Sequence, residues 1–185
     1  LVEVALELLP ETPCEVLDLG TGSGAVALAL GSERMDCEIT GVDRVAAAVT
    51  LAQENAAQLA LKNCHFRQSH WFSQLPARRY QLIVSNPPYI DAADHHLQQG
   101  DVRFEPLSAL VAEEGGLADL RHIIDQSRHW LHPAGWLALE HGWQQGEAVR
   151  QLLQHSGYRQ VATRNDYAGN PRVSYGQFIS EPMAG

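Results

Sequence analysis

The chain has 185 residues, of which 45% are hydrophobic and 19% charged, and its formal net charge at pH 7 is −9. This length is enough for one domain that buries roughly 70% of the surface exposed by its unfolded chain. No apolar run approaches the ~20 residues of a membrane helix, and an acidic chain is poorly suited to holding phosphate backbones. We therefore expect one domain over residues 1–185 that contacts neither a membrane nor nucleic acid.

The amino-terminal segment and the cysteines bear on location. Leu1–Leu9 is interrupted by two glutamates and lacks a basic leader, so it is not a signal peptide. Because the first residue is not Met, we expect the domain to come from a longer chain. Cys14, Cys37 and Cys64 form no CxxC pair and are typical of small core residues in a reducing compartment. The expected location is the cytoplasm.

Apolar patterning predicts alternating strands and helices along the chain. The predicted strands are Glu15–Leu19, Glu38–Val42, His65–Arg67, Tyr80–Val84, Trp136–Glu140, Tyr158–Thr163 and Val173–Ile179. The predicted helices are Ala25–Leu30, Val45–Leu61, Gly116–Leu131 and Gln145–His155, and Gln98–Leu110 is predicted to be a loop. This order predicts an α/β, Rossmann-like, doubly wound fold with a mostly parallel seven-stranded sheet. The last two strands lack a helix between them, which predicts an antiparallel strand at the edge.

A glycine-rich turn, Gly20-Thr21-Gly22-Ser23-Gly24, follows the first strand and precedes the first helix. Nucleotides bind at this position in doubly wound sheets, and glycines let the backbone approach them closely. With Ala25 the turn also satisfies the looser G-x-G-x-x-A dinucleotide fingerprint. A nicotinamide cofactor therefore stays open at this point, as does a merely tight turn.

Three further side chains are candidates near this turn. Asp43 ends the second strand, where a carboxylate can accept hydrogen bonds from both ribose hydroxyls, or can cap the following helix. Asp18 lies inside the first strand and needs partners because an unpaired buried carboxylate is costly. We expect it to orient loop amides or a ligand's ammonium group. Trp71 is either a platform for adenine or an ordinary buried aromatic.

The segment Asn86-Pro87-Pro88-Tyr89 follows the fourth strand. Each proline fixes its own φ and holds the preceding residue extended. The segment therefore displays the Asn86 side-chain carbonyl, the Pro87 carbonyl and an aromatic ring in a fixed relation. Two acceptors beside a flat ring suit a planar group that carries an NH2, namely an amide or an exocyclic amine.

Several sequence blocks together carry a resemblance to one known family. These blocks are Asp18–Ala25, Gly41–Arg44, Gln68–Phe72, Ile83–Ile90 and Leu139–Gly146. From about Leu1 to Ile179 the chain resembles the release factor glutamine methyltransferases (PrmC or HemK), which are class I S-adenosylmethionine-dependent methyltransferases. Asn-Pro-Pro-Tyr alone is shared with adenine and guanine amino-methyltransferases. Glu140–Gly146 and Val102–Pro106 are more particular to the glutamine enzymes.

The resemblance implies methyl transfer from S-adenosyl-L-methionine to N5 of the glutamine in the Gly-Gly-Gln motif of class 1 peptide-chain release factors. The implied cofactor-binding residues are Gly20, Thr21, Gly22, Ser23, Gly24, Asp43, Trp71 and Asn86. The implied substrate-binding residues are Asn86, Pro87, Pro88 and Tyr89. As catalytic residues, Asn86 and Pro87 each accept one amide N–H, and Tyr89 packs on the planar group. A monomer without a metal ion is expected.

Two departures from the family pattern affect binding. Family members usually carry Asp before the tryptophan, whereas this chain has His70, so we expect adenine to be held differently. Family members also carry an N-terminal helical domain that helps to dock the release factor, and no part of this sequence corresponds to it. We expect protein-substrate recognition to be weaker without that domain.

Other interpretations remain open from the residues. An adenine or guanine amino-methyltransferase would need a basic groove and salt-sensitive binding. A non-catalytic module would bind the cofactor without turnover, and a nicotinamide oxidoreductase would leave the Asn-Pro-Pro-Tyr segment unexplained. Glu140 either faces the substrate or supports the site from within, and Arg103 and Glu105 either order a loop or form a surface ion pair. The pairs His95-His96 and His129/His132 lack a cluster suited to a metal.

Overall fold

A computed structural model describes residues 1–87, 90–91, 111–112 and 117–179. The helices in these ranges are α1 (Val2–Leu8), α2 (Ala25–Glu33), α3 (Ala46–Gln58), α4 (Ala118–Ser127) and α5 (Gly146–His155). The strands are β1 (Glu15–Leu19), β2 (Glu38–Asp43), β3 (Cys64–Gln68), β4 (Tyr80–Ser85), β5 (Ile90–Asp91), β6 (Val111–Ala112), β7 (Leu131–Glu140), β8 (Tyr158–Asn165) and β9 (Pro171–Phe178). Along the same ranges, no helix has the length and apolarity needed to cross a membrane.

Seven strands form one sheet in the order β3-β2-β1-β4-β7-β9-β8. The first five are parallel, and β9 runs antiparallel to both β7 and β8. The predicted fold class is therefore confirmed, and the antiparallel strand β9 lies one position in from the edge strand β8. The strands β5 and β6, which the sequence did not predict, form a separate parallel pair. The predicted loop Gln98–Leu110 lies outside the described residues.

Both faces of the sheet are buried by helices. Side chains of α1, α2 and α3 pack on one face, and those of α4 and α5 pack on the other. Successive side chains of a strand point to opposite faces, so Val16 joins the first layer of core while Leu17 and Leu19 join the second. A strand covered on both faces is apolar where it is buried, and among the buried residues of β1 Asp18 is the exception. The cysteines at positions 14, 37 and 64 are buried and free, as predicted.

Three element predictions need correction. Helix α4 ends at Ser127 and β7 already begins at Leu131, ahead of the predicted start at Trp136. Tyr80 of β4 pairs with Leu131 of β7, and Leu82 pairs with Trp136. Residues 132–135 of β7 therefore bulge out of the ladder. The predicted break at this proline and glycine is therefore a bulge inside a strand.

The third correction concerns the buried face of α3. In the sequence, six residues at helical spacing indicate this helix, namely Ala47, Ala48, Leu51, Ala52, Asn55 and Leu59. The buried residues are instead Val49, Ala52 and Ala56. Leu51 and Leu59 are 46% and 60% exposed. Small side chains on the buried face let α3 approach β2 and β3 closely.

Candidate active site

The predicted site residues that the structure describes gather at the carboxyl ends of the parallel strands. The parallel strands β1, β2, β3, β4 and β7 all end there, which is where ligands bind in open α/β sheets. Strand β1 leads into the glycine turn, β2 ends in Asp43, and β4 leads into Asn86. The helices after β1 and β4 cover opposite faces of the sheet, so a crevice lies between these two strand ends.

The glycine turn owes its shape to left-handed backbone. Gly20, Gly22 and Gly24 have φ values of 71°, 55° and 84°, which residues that carry a side chain rarely adopt. The amides of Gly20 and Thr21 both donate to the Val42 carbonyl at 2.9 Å, which folds the turn over the end of β2. A Cβ built on Gly22 would meet no atom within 4 Å. The backbone at Gly22 therefore faces open space that a bound ligand can use.

Asp43 fastens this turn to the neighbouring strand. Its Oδ2 accepts a hydrogen bond from the Gly22 amide at 3.0 Å, and its Oδ1 accepts one from the Val45 amide at 2.9 Å, just before α3. The N-cap of α3 is Val45 and no side chain caps the helix, so the capping role considered for Asp43 from the sequence is wrong. A carboxylate has about four lone-pair sites, so each oxygen keeps one for a further donor. The ribose contact of Asp43 stays a prediction.

Asp18 supports the turn from beneath. It is 2% exposed, and its Oδ2 accepts a hydrogen bond from the Thr21 hydroxyl at 2.6 Å. Burial raises the pKa of Asp18 from 3.8 to about 6, the hydrogen bonds from Thr21 and the Ala27 amide oppose this rise, and the charge of Asp43 adds to it. Asp18 therefore holds the turn through the Thr21 hydroxyl, whereas the sequence-based expectation was a contact with loop amides.

Gly41, which sequence reasoning missed, makes room for this contact. It lies beside Asp18 in the β1–β2 ladder. A Cβ on Gly41 would lie 2.7 Å from the Thr21 hydroxyl oxygen and 2.6 Å from the Phe66 ring. The only signal in the sequence was a glycine inside a strand, which marks a close approach of other atoms.

The raised pKa of Asp18 predicts a distinctive pH dependence of stability. Ionisation of Asp18 opposes folding. The stability that the protonated Asp18 carboxyl supplies is therefore fully present below pH 3.8 and is lost as the pH rises through about 6. We expect Asp18→Asn to unfold at higher denaturant than the parent at pH 8, with a gain in free energy of unfolding of at most about 3 kcal/mol. The difference should shrink toward pH 4. Urea titrations at both pH values check this, and an equal difference at both would contradict it.

Trp71 forms a wall beside the glycine turn. A Cβ on Gly20 would lie 3.5 Å from the Trp71 ring, so the ring lies against that glycine. Trp71 has a φ of 50°, a costly conformation that Ser69 supports. The Ser69 hydroxyl donates to the Trp71 carbonyl at 2.8 Å, and its amide donates to the Asp43 carbonyl at 2.9 Å. Ser69 is 1% exposed and links Asp43 to Trp71.

Sequence reasoning assigned no role to Ser69, although it lies in one of the blocks that carry the resemblance. Its neighbour His70, at the position where the family has Asp, is exposed. The ring centroids of His70 and Trp71 lie 6.0 Å apart. His70 therefore lies beside the predicted adenine platform, and its contribution to adenine binding stays a prediction.

The end of β4 brings the predicted catalytic segment next to the glycine turn. Ser85 is fully buried, and its hydroxyl donates to the Leu19 carbonyl at 2.7 Å, which joins β4 to β1 just before Gly20. Asn86 is exposed and Pro87 is buried. The predicted substrate-binding residues Pro88 and Tyr89 lie outside the described residues, as does the block Val102–Pro106.

The neighbouring strand β7 ends beside Asn86. Leu139 pairs with Ser85 at the end of the ladder, so Glu140 and Asn86 each directly follow a paired residue. Glu140 is half-buried. Among the described residues, no group of three or more His, Cys, Asp or Glu is arranged to hold a metal ion. The pair His95-His96 lies outside those residues.

A comparison with family models matches residues 2–118 to the methyltransferase small domain. The chain belongs to the methyltransferase small domain family. A curated relative of this family member, named release factor glutamine methyltransferase, comes from Escherichia coli (strain K12). The two are 62% identical over 178 residues, which are 96% of this chain and 64% of the relative. The resemblance drawn from the sequence is thereby confirmed, and the chain spans somewhat less than two thirds of that relative's length.

Solved structures share the fold of this family member. A methyltransferase from Pyrococcus furiosus has a TM-score of 0.72 at 15% identity, and the match covers 96% of this chain and 81% of the other. Coclaurine N-methyltransferase, solved with N-methylheliamine and SAH, has a TM-score of 0.54 at 18% identity, with 76% of this chain and 34% of the other covered. At these identities the likeness shows the fold alone.

Proposed function

We propose that this chain is the catalytic domain of an S-adenosyl-L-methionine-dependent protein-glutamine N5-methyltransferase. Its substrate is the Gln of the Gly-Gly-Gln motif in class 1 peptide-chain release factors, and its location is the cytoplasm. The observation that carries the proposal is the adjacency of β1 and β4, which puts a nucleotide-type glycine turn beside the exposed Asn86. The name of the E. coli relative supports the glutamine as substrate.

The residues at the edge of the sheet fit this cofactor. Gly22 faces open space, Asp43 keeps two lone-pair sites beside it, and Trp71 forms the adjoining wall. In the proposal, Asp43 accepts hydrogen bonds from the ribose hydroxyls, Trp71 lies along the adenine, and the glycine turn contacts the remainder. A solved neighbour of the same fold binds SAH, the demethylated form of this cofactor. When bound, the cofactor supplies a methyl group activated by a sulfonium.

Catalysis then depends on positioning by this chain's own residues. A carboxamide nitrogen is a poor nucleophile because its lone pair is delocalised into the carbonyl. The Asn86 side-chain oxygen accepts one amide N–H and the Pro87 carbonyl accepts the other, which orients the nitrogen and stabilises the positive charge that develops on it. The ring of Pro87 fixes its φ, which limits the conformations of this backbone. In the proposal Tyr89 covers the planar group and excludes water.

The test is methyl transfer from labelled S-adenosyl-L-methionine to a purified class 1 release factor, with mass spectrometry to locate the label. The control is the same factor with the Gly-Gly-Gln glutamine replaced by alanine, and DNA and RNA are assayed in parallel. We expect label only on the release factor that keeps the Gly-Gly-Gln glutamine, and none on its alanine form, on DNA or on RNA. Label on nucleic acid would support an amino-methyltransferase instead. Cofactor binding without label on any substrate would indicate a binding module.

A further inference from the structure

The segment after β7 is held by a buried polar chain. His141 is fully buried, and its Nδ1 lies 2.9 Å from the Gly142 carbonyl, which can only accept. Nδ1 therefore carries a proton, and in the neutral ring Nε2 accepts one from the Ser174 hydroxyl at 2.8 Å. Ser174 then accepts from Thr163 at 2.7 Å, and Thr163 accepts from Arg150 at 3.0 Å. Each hydrogen bond in this chain has a defined direction.

Gly142 receives additional support from the start of α5. The Gln145 amide donates to the Gly142 carbonyl at 2.9 Å, and the Gly142 amide donates to the Gln145 side-chain oxygen at the same distance. With the contact from His141, three hydrogen bonds hold one glycine. The residue that follows is Trp143, whose side chain is 55% exposed. A fixed backbone thus presents a large aromatic ring to solvent.

The strand order defines the side of the site on which Trp143 lies. Strands β2, β1, β4 and β7 are consecutive in the sheet, so their ends carry Asp43, the glycine turn, Asn86 and Trp143 in that order. The predicted cofactor residues occupy one side of Asn86, and Trp143 follows the strand on its other side. Neighbouring strands are about 4.8 Å apart, so the segment after β7 begins next to the segment after β4.

We propose that Trp143 binds the polypeptide of the protein substrate beside the target glutamine. This inference rests on the proposed function. A glycine-rich segment has no side chains to keep its peptide planes away from a flat ring, so an exposed tryptophan is a suitable surface for it. Because the backbone just before Trp143 is held at Gly142, little backbone entropy is lost when the substrate binds.

The test compares two substitutions of this residue with a matched control. The variants Trp143→Ala and Trp143→Phe are assayed with a class 1 release factor, together with Met35→Ala. Met35 is 74% exposed and follows α2, at the amino ends of the parallel strands and so away from the site. It therefore controls for loss of an exposed apolar side chain. The kcat, the KM for the release factor and the Kd for the cofactor are measured for each variant.

We expect Trp143→Ala to raise the KM about 10-fold, as truncation of an aromatic contact residue typically does. Its kcat and cofactor Kd should stay within about twofold of the parent, Trp143→Phe should recover most of the KM, and Met35→Ala should match the parent. A KM for Trp143→Ala equal to that of Met35→Ala would overturn the inference alone. Absence of turnover by the parent would instead overturn the proposed function on which the inference rests.

Discussion

Replacing Asn86 with alanine should lower the turnover of this chain about 100-fold or more, while the cofactor dissociation constant changes less. Under the proposed function, the Asn86 side-chain oxygen is one of two acceptors that hold the substrate amide. Loss of one preorganised hydrogen bond at a site of developing charge costs about 2.7–4 kcal/mol. Since the Pro87 carbonyl is part of the backbone, it remains in the variant and retains part of the rate.

Single-turnover and steady-state assays with a release factor, together with calorimetry of cofactor binding, separate the two effects of this substitution. The control is Asn170→Ala, which removes the same group from an exposed position between β8 and β9. A kcat that falls while cofactor affinity holds is the signature of an interaction used in the transition state. Equal turnover in Asn86→Ala and the parent would refute the catalytic assignment.

Much of this fold follows from local sequence. The predicted bounds of β1 coincide with the observed Glu15–Leu19, because an apolar run there meets a glycine that leaves the strand conformation. The order of strands and helices likewise predicted the doubly wound sheet. The glycine turn and Asp43 were predicted as neighbours because parallel strands end at a common edge, and the contact between Gly22 and Asp43 joins them.

The elements that sequence did not predict depend on distant contacts. Helix α1 has seven residues, too few to be stable by itself. Val4 and Ala5 are buried in the core, and Glu7 pairs at the surface with Arg164 at 2.6 Å, so distant parts of the chain hold α1. No local pattern reports such contacts. The same holds for Ser69, whose hydrogen bonds connect two loops.

The buried polar chain behind Gly142 shows a second limit of local reasoning. His141, Thr163 and Ser174 lie on three different segments and meet because β7, β9 and β8 are adjacent. A histidine followed by glycine and tryptophan indicates nothing about burial. Only the sheet order shows that His141 is inside the fold while Trp143 is outside.

Replacing Asp43 with alanine should weaken binding of S-adenosyl-L-methionine by about 100-fold or more. In the proposal its carboxylate accepts hydrogen bonds from both ribose hydroxyls, and such charge-assisted bonds are worth about 1.5–3 kcal/mol each. The variant also frees the Gly22 amide, so part of the loss comes from a looser glycine turn. The measurement is calorimetry, and the control is Asp36→Ala, an exposed carboxylate that pairs with Arg34.

A second cofactor form separates the ribose contact from the support of the turn. The parent should bind a 2′-deoxy analogue of S-adenosylhomocysteine about 10-fold more weakly than S-adenosylhomocysteine itself, because one hydrogen bond is lost. Asp43→Ala should bind both equally, since the acceptor is already absent, and the coupling between the two changes measures the contact itself. If the variant still discriminates as the parent does, Asp43 acts only through Gly22 and Val45. The ribose assignment would then be wrong even though affinity had fallen.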